Sequence, residues 1–122
     1  SFTCMADGTA LHFMKTLDIA SLFGNALDNA IEHEKKEKAE NRYIFLKILR
    51  KGKMVSIRIE NYCETFPKLS EAGLPVRSSK KDSELHGYGT KSMQYIAEKY
   101  GANFRIFSEK NLFVVSMLFP IE

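Results

Sequence analysis

The chain has 122 residues, with 18 Lys and Arg against 15 Asp and Glu and a formal net charge of +3. That length fits one domain, able to bury roughly two-thirds of its unfolded surface without staples. No basic stripe with interleaved aromatics appears, which argues against a nucleic-acid partner, and no apolar run approaches the ~20 residues that span a bilayer.

Phe2 to Ala6 reads as a short strand and Asp7-Gly8 as a turn. Leu11 to Leu17 leads into a long helix ending near Lys38, with Asp18 placed to accept from its first N–H groups as an N-cap. Ile19, Leu22, Phe23, Ala26, Leu27, Ala30 and Ile31 form one wide apolar face. Ser21, Asn25, Asn29 and Glu32 fall on another. Asn is a mediocre helix former, because its amide competes with the backbone. Two readings of that stripe stand side by side. One is a solvated face, and the other is a face for a metal and a phosphate. Mg²⁺ takes oxygen ligands and is usually held through few protein groups plus substrate phosphates. The run EHEKKEKAE reads as the helix's solvated end.

Tyr43–Arg50 and Met54–Asn61 read as a hairpin turned at Lys51-Gly52-Lys53. Val55, Ile57 and Ile59 point one way, with Ile44, Leu46 and Ile48 facing them. Residues 62 to 88 have weak periodicity and read as one long loop, the kind that often forms a lid or binding loop. In that loop Ser78-Ser79-Lys80-Lys81 leads to the run His86 to Ser92, HGYGTKS. Gly87 and Gly89 come just before a helical pattern from about Thr90 to Tyr100, stopped by Gly101. Glycines ahead of a helix N-terminus make an anion site, though a lone GxG is weak evidence. Asn103–Ser108 and Leu112–Phe119 read as the last two strands. Cys4 and Cys63 lack metal-ligand spacing, and two thiols without a signal peptide suggest a reducing cytosol. The missing start methionine suggests a piece of a larger protein. The whole predicts a two-layer α+β sandwich, with helices on one face of a mixed, mostly antiparallel sheet.

LFGNALDNAIEH resembles the N-box of the GHKL superfamily, and HGYGTKSMQYIAEKYG its G2 box. The wording is closest to quorum-sensing-type sensor histidine kinases of Gram-positive bacteria. The order and spacing of four matching stretches, over almost the whole chain, carry the resemblance. It implies the Bergerat ATP-binding fold over residues 1–122, as the C-terminal catalytic domain of a histidine kinase. The expected cofactors are ATP and Mg²⁺. The expected partners are a phosphoacceptor histidine domain of the same protein and a response regulator, in a homodimer. The domain would lie on the cytoplasmic side of a membrane-anchored bacterial protein without itself contacting the membrane.

Carried over by position, Asn29 matches the asparagine that ligates Mg²⁺, and Asn25 the residue one turn earlier, near the γ-phosphate. Both would be catalytic. His86, Gly87, Tyr88, Gly89, Thr90 and Lys91 match the G2 stretch around the phosphates. Lys80 is the preferred phosphate-neutralising lysine over Lys81 and Arg77. His33 falls where relatives place an aromatic ring near the nucleoside; a surface histidine is the other reading. Two departures stand out. Most relatives carry Asp-x-Gly-x-Gly after the central strand, whereas here the strand ends IENYCE, with Asn61 at the Asp position. An Asn oxygen can still accept from the adenine amino group. GHKL hydrolases also place a water-activating Glu where Asn25 stands, so the resemblance favours phosphoryl transfer over hydrolysis. None of His12, His33 and His86 sits in a recognisable phosphoacceptor helix, so the chain alone is not expected to autophosphorylate. Two rivals remain: an anti-sigma-factor-like serine kinase, and a degenerate GHKL domain serving as a protein-interaction module.

Overall fold

Val55, Ile57, Ile59 and Asn61 alternate inward along the central strand β3 (Met54–Tyr62), and the rest of the molecule is built against that line. The computed structural model describes residues 1–75 and 80–121; the side chains of residues 80–88 lie outside that description. The other strands are β1 (Phe2–Ala6), β2 (Ile44–Lys51), β4 (Asn103–Glu109) and β5 (Leu112–Pro120). They form one sheet in the order β1-β2-β3-β5-β4, with β1 parallel to β2 and all other pairs antiparallel. Two long helices, α1 (Thr16–Glu34) and α2 (Lys80–Lys99), pack side by side over one face. This is the expected α+β sandwich.

Period-2 patterning selects the faces. Ile44, Leu46 and Ile48 on β2 and Phe113, Val115, Met117 and Phe119 on β5 are buried beside the β3 set. From above, α1 contributes Leu22, Ala26 and Ala30, spaced by four, and α2 contributes Met93, Ile96 and Ala97. Burying each large apolar side chain is worth roughly 1.5–3 kcal/mol, so this layer holds the fold. The tight turn at Lys110 and Asn111, with φ of 47° and 62°, joins β4 to β5. Gly101, at φ 75°, closes α2 in a Schellman arrangement: its N–H bonds the Glu98 carbonyl at 2.9 Å, and the Ala102 N–H bonds that of Ala97 at 2.9 Å.

The other sheet face carries no helix among the described residues. Arg58 lies there between Glu60 at 2.8 Å and Glu109 at 2.9 Å, with its guanidinium 5.7 Å from the Phe107 ring centre.

Several boundaries differ from the sequence expectation. Helix α1 begins at Thr16, with Lys15 as N-cap, so Asp18 is a first-turn residue and not the cap. Its carboxylate reaches α2 instead, accepting from Lys99 Nζ at 3.0 Å and from the Tyr100 hydroxyl. The helix ends at Glu34, inside the charged run and short of Lys38, and a 3₁₀ turn at Ala39–Asn41 precedes β2. The long loop is shorter than expected, because α2 starts at Lys80 and not near Thr90. No Gly or Pro stands between Pro75 and Gly87 to stop a helix there.

Candidate functional site

The stripe of α1 that carries the two asparagines runs beside α2. Asn25 and Asn29 are both half-buried. The Asn25 amide nitrogen donates to the Ser21 carbonyl at 2.8 Å and lies 3.3 Å from the Ser21 hydroxyl. Its nitrogen is thus committed to its own helix, and Oδ1 is turned away from Ser21 as an acceptor. Helix α2 comes close here: a methyl group on Gly89 would sit 3.9 Å from the Asn25 carbonyl oxygen. The 52 residues between the two motifs are thereby folded out of the way, and the motifs adjoin.

The glycine stretch itself differs from expectation. Gly87, Gly89, Thr90 and Lys91 lie inside α2, not in a loop ahead of it. Interior helix N–H groups already donate to carbonyls one turn back, so Thr90 and Lys91 do not offer the free N–H groups of a helix start. Thr90 is buried and Lys91 is exposed. Lys80, His86 and Tyr88 fall where side chains lie outside the described residues, as do Arg77 and Lys81.

At the other end of α1 a second group of site residues converges. Asn61 pairs in register with Phe113. The His33 ring stacks on Phe113 with centroids 6.3 Å apart and an interplanar angle of 23°, and Phe66 packs on Phe113 at 5.6 Å. His33 Nε2 lies 3.4 Å from Glu37 Oε1. His33 is therefore part of this aromatic corner, not a free surface group. Cys63 is buried in the same corner, and its Sγ donates to the Thr65 carbonyl at 3.1 Å. Burial, with the negative charges of Glu37 and Glu34 behind it, pushes its thiol up to about 11.

Glu34, absent from the motif reading, completes the corner. It is 4% exposed and continues the buried Leu22, Ala26, Ala30 stripe. Oε1 accepts from the Tyr43 backbone N–H at 2.7 Å, and Oε2 accepts from the Asn61 amide nitrogen at 3.4 Å. A carboxylate continuing an apolar i, i+4 stripe was the available signal.

Among the described residues no group of three or more His, Cys, Asp or Glu could hold a metal ion. The asparagine stripe suits a different kind of ion. Neutral oxygens such as Asn25 Oδ1 fit a hard cation whose remaining ligands come from water and phosphate. A separate cleft of about 480 Å³ opens at the other end of the strands, against His12, Phe13, Arg50 and Tyr100. It contains none of the candidate site residues.

A family model for the GHKL domain matches residues 14–120. The chain belongs to the GHKL domain family. The fold of this GHKL domain is shared by solved histidine kinase structures. The histidine kinase domain of an Erythrobacter litoralis EL346 blue-light activated histidine kinase superposes with a TM-score of 0.69 at 16% identity, over 99% of this chain and 51% of that one. The catalytic domain of histidine kinase ThkA gives 0.67 at 19%, over 98% and 78%. Acinetobacter baumannii histidine kinase AdeS gives 0.58 at 11%, over 87% and 47%. The chain thus spans about half the length of the first and third of these. At these identities the likeness is one of fold. No curated protein sequence matches the chain. Among the described residues no helix is long and apolar enough to cross a membrane.

Proposed function

We propose that this GHKL domain binds ATP with Mg²⁺ and is the catalytic module of a sensor histidine kinase of the quorum-sensing type. The observation that carries the reading is the committed polarity of Asn25. With its nitrogen tied to Ser21, its Oδ1 is left as an acceptor on the turn of α1 whose backbone carbonyl adjoins Gly89. Such an acceptor would repel a phosphate oxygen, and it would suit a hard cation that accompanies the phosphates. Asn29, one turn on, supplies the second amide and is the residue assigned to the metal. Bound Mg²⁺ would neutralise charge on the phosphates.

The chain's own part is positioning. Asn25 and Asn29 orient the phosphate end from α1. The backbone of Gly87 to Lys91, with Lys80, His86 and Tyr88, is assigned to the phosphates once the first turns of α2 release their internal hydrogen bonds. His33 and Asn61 are assigned to the nucleoside end, where His33 stacks and the Asn61 oxygen accepts from the adenine amino group. In the reaction the bond from the γ-phosphorus to the bridging oxygen of ADP breaks, and a bond to an imidazole nitrogen of the acceptor histidine forms. Asn25 cannot act as a base, so nothing at that position activates water, and transfer is favoured over hydrolysis.

The acceptor histidine would stand on a separate domain of the same protein, working as a homodimer on the cytoplasmic side of a membrane, with a response regulator receiving the phosphoryl group. Incubation with radiolabelled ATP tests this reading. The chain alone should acquire no acid-labile phosphate, and the longer protein with its histidine domain should. Phosphohistidine on the isolated chain would overturn the division of labour.

A further inference from the structure

The buried contact between Glu34 and Asn61 bears on which base the site accepts. Asn61 is 2% exposed, and its side-chain nitrogen faces two groups, Glu34 Oε2 at 3.4 Å and the Tyr62 carbonyl at 3.1 Å. An ionised carboxylate and a backbone carbonyl are acceptors only. Only the NH₂ side of the Asn61 amide can face them, so the orientation of that amide is fixed by chemistry. Its oxygen must then point away from Glu34. Glu34 is itself held, because Oε1 takes the Tyr43 backbone N–H at 2.7 Å, and it sits in the last turn of α1.

We propose that Glu34 is a positioning residue that locks the Asn61 amide with its oxygen outward, so that the site selects a 6-aminopurine over a 6-oxopurine. The inference rests on the assignment of Asn61 to the base. An Asp at that position would be an acceptor in either orientation. An Asn is an acceptor only if something prevents its amide from turning over; turned over, it would present N–H groups, which suit the 6-oxo group of hypoxanthine or guanine. The buried carboxylate supplies that constraint. A site whose polar group is aimed at one donor discriminates strongly, because the wrong base leaves two acceptors face to face.

Glu34→Gln tests the proposal. With its oxygen still on the Tyr43 N–H, the substituted side chain turns its NH₂ group toward Asn61. The Asn61 amide then faces a donor on one side and the Tyr62 carbonyl on the other, and its preference collapses. Calorimetric titrations with Mg²⁺–ATP and Mg²⁺–ITP give the ratio of the two affinities. The expected result is an ATP-over-ITP ratio that falls about tenfold in Glu34→Gln, the scale of one buried polar contact. A general loosening of the domain would weaken both nucleotides together and leave the ratio unchanged, and that outcome overturns the proposal. Should Glu34→Gln bind too weakly to measure, the double variant Glu34→Gln with Asn61→Asp reads the same ratio with an acceptor restored beside the base. Recovery of the ATP preference supports the lock, and equal binding of the two nucleotides contradicts it. Failure of the unaltered chain to bind ATP removes the parent reading and this one together; ATP binding with an unmoved ratio removes this one alone.

Discussion

The Asp18 carboxylate, in the first turn of α1, accepts a hydrogen bond from the hydroxyl of Tyr100, just past the end of α2. The same hydroxyl accepts from the Lys15 backbone N–H at 3.0 Å, which is one of the orphan donors at the start of α1. Tyr100 therefore does for α1 part of what a side-chain cap would do, from eighty-odd residues away, and it ties the two helices together at the end remote from Asn61.

This tie predicts a pH window. The Tyr100 hydroxyl, and then Lys99, lower the Asp18 pKa from its usual 3.8, while Asp18 raises that of Lys99 from 10.5. A depressed carboxylate stabilises the fold above its unfolded pKa, and that contribution disappears as pH falls through the folded value. A raised lysine stabilises below its unfolded pKa, and that contribution disappears as pH rises through the folded value. The tie is fully present between about pH 4 and pH 10 and weakens outside that range. Tyr100→Phe should lower the melting temperature by a few degrees at pH 7 and flatten the acid limb of the stability profile. An unchanged profile would mean that the contact contributes nothing.

Gly89 offers a second test. It is interior to α2, where Gly costs about 1 kcal/mol relative to Ala. A methyl group at 3.9 Å from the Asn25 backbone carbonyl oxygen is an ordinary contact, so alanine fits. Gly89→Ala should therefore stabilise the domain by up to about 1 kcal/mol. If the Gly89 backbone must leave the helix to hold phosphate, the same substitution should weaken Mg²⁺–ATP binding several-fold. Thermal denaturation and titration of one variant check both halves. Greater stability with unaltered affinity would show that the glycine's freedom is not used.

The two cysteines should differ in reactivity. Cys4 is exposed, whereas Cys63 is buried with a thiol pushed up to about 11. The thiolate is the reactive form, so Cys63 is suppressed by both access and charge. An aromatic disulfide reagent should titrate one thiol quickly in the folded chain and the second only in denaturant. Two fast equivalents would contradict the packing of the Asn61 corner.

The strands were legible because alternation is local. Val55, Ile57 and Ile59 needed no tertiary knowledge to be placed on the core face, and neither did the β5 set. The N-box stripe was legible for the same reason. What escaped depended on partners distant in sequence. Asp18 has the composition of a cap, and its choice of Tyr100 over its own helix end is visible only once α2 lies alongside. Gly87 and Gly89 looked like the end of a loop, yet the breaker-free run before them carries the helix back to Lys80. Glu34 was read as part of a solvated charge run. Its burial follows from its place one turn beyond Ala30, above Asn61, and not from its neighbours in the chain.

The most direct test of the central claim is calorimetric titration of the chain with a non-hydrolysable ATP analogue, with and without Mg²⁺. The account predicts Mg²⁺-dependent binding in the micromolar-to-millimolar range, weakened about tenfold or more by Asn29→Ala. Absence of binding up to several millimolar would contradict it, and would favour a GHKL domain that has become a protein-interaction module, its base corner filled by Phe66, Phe113 and His33.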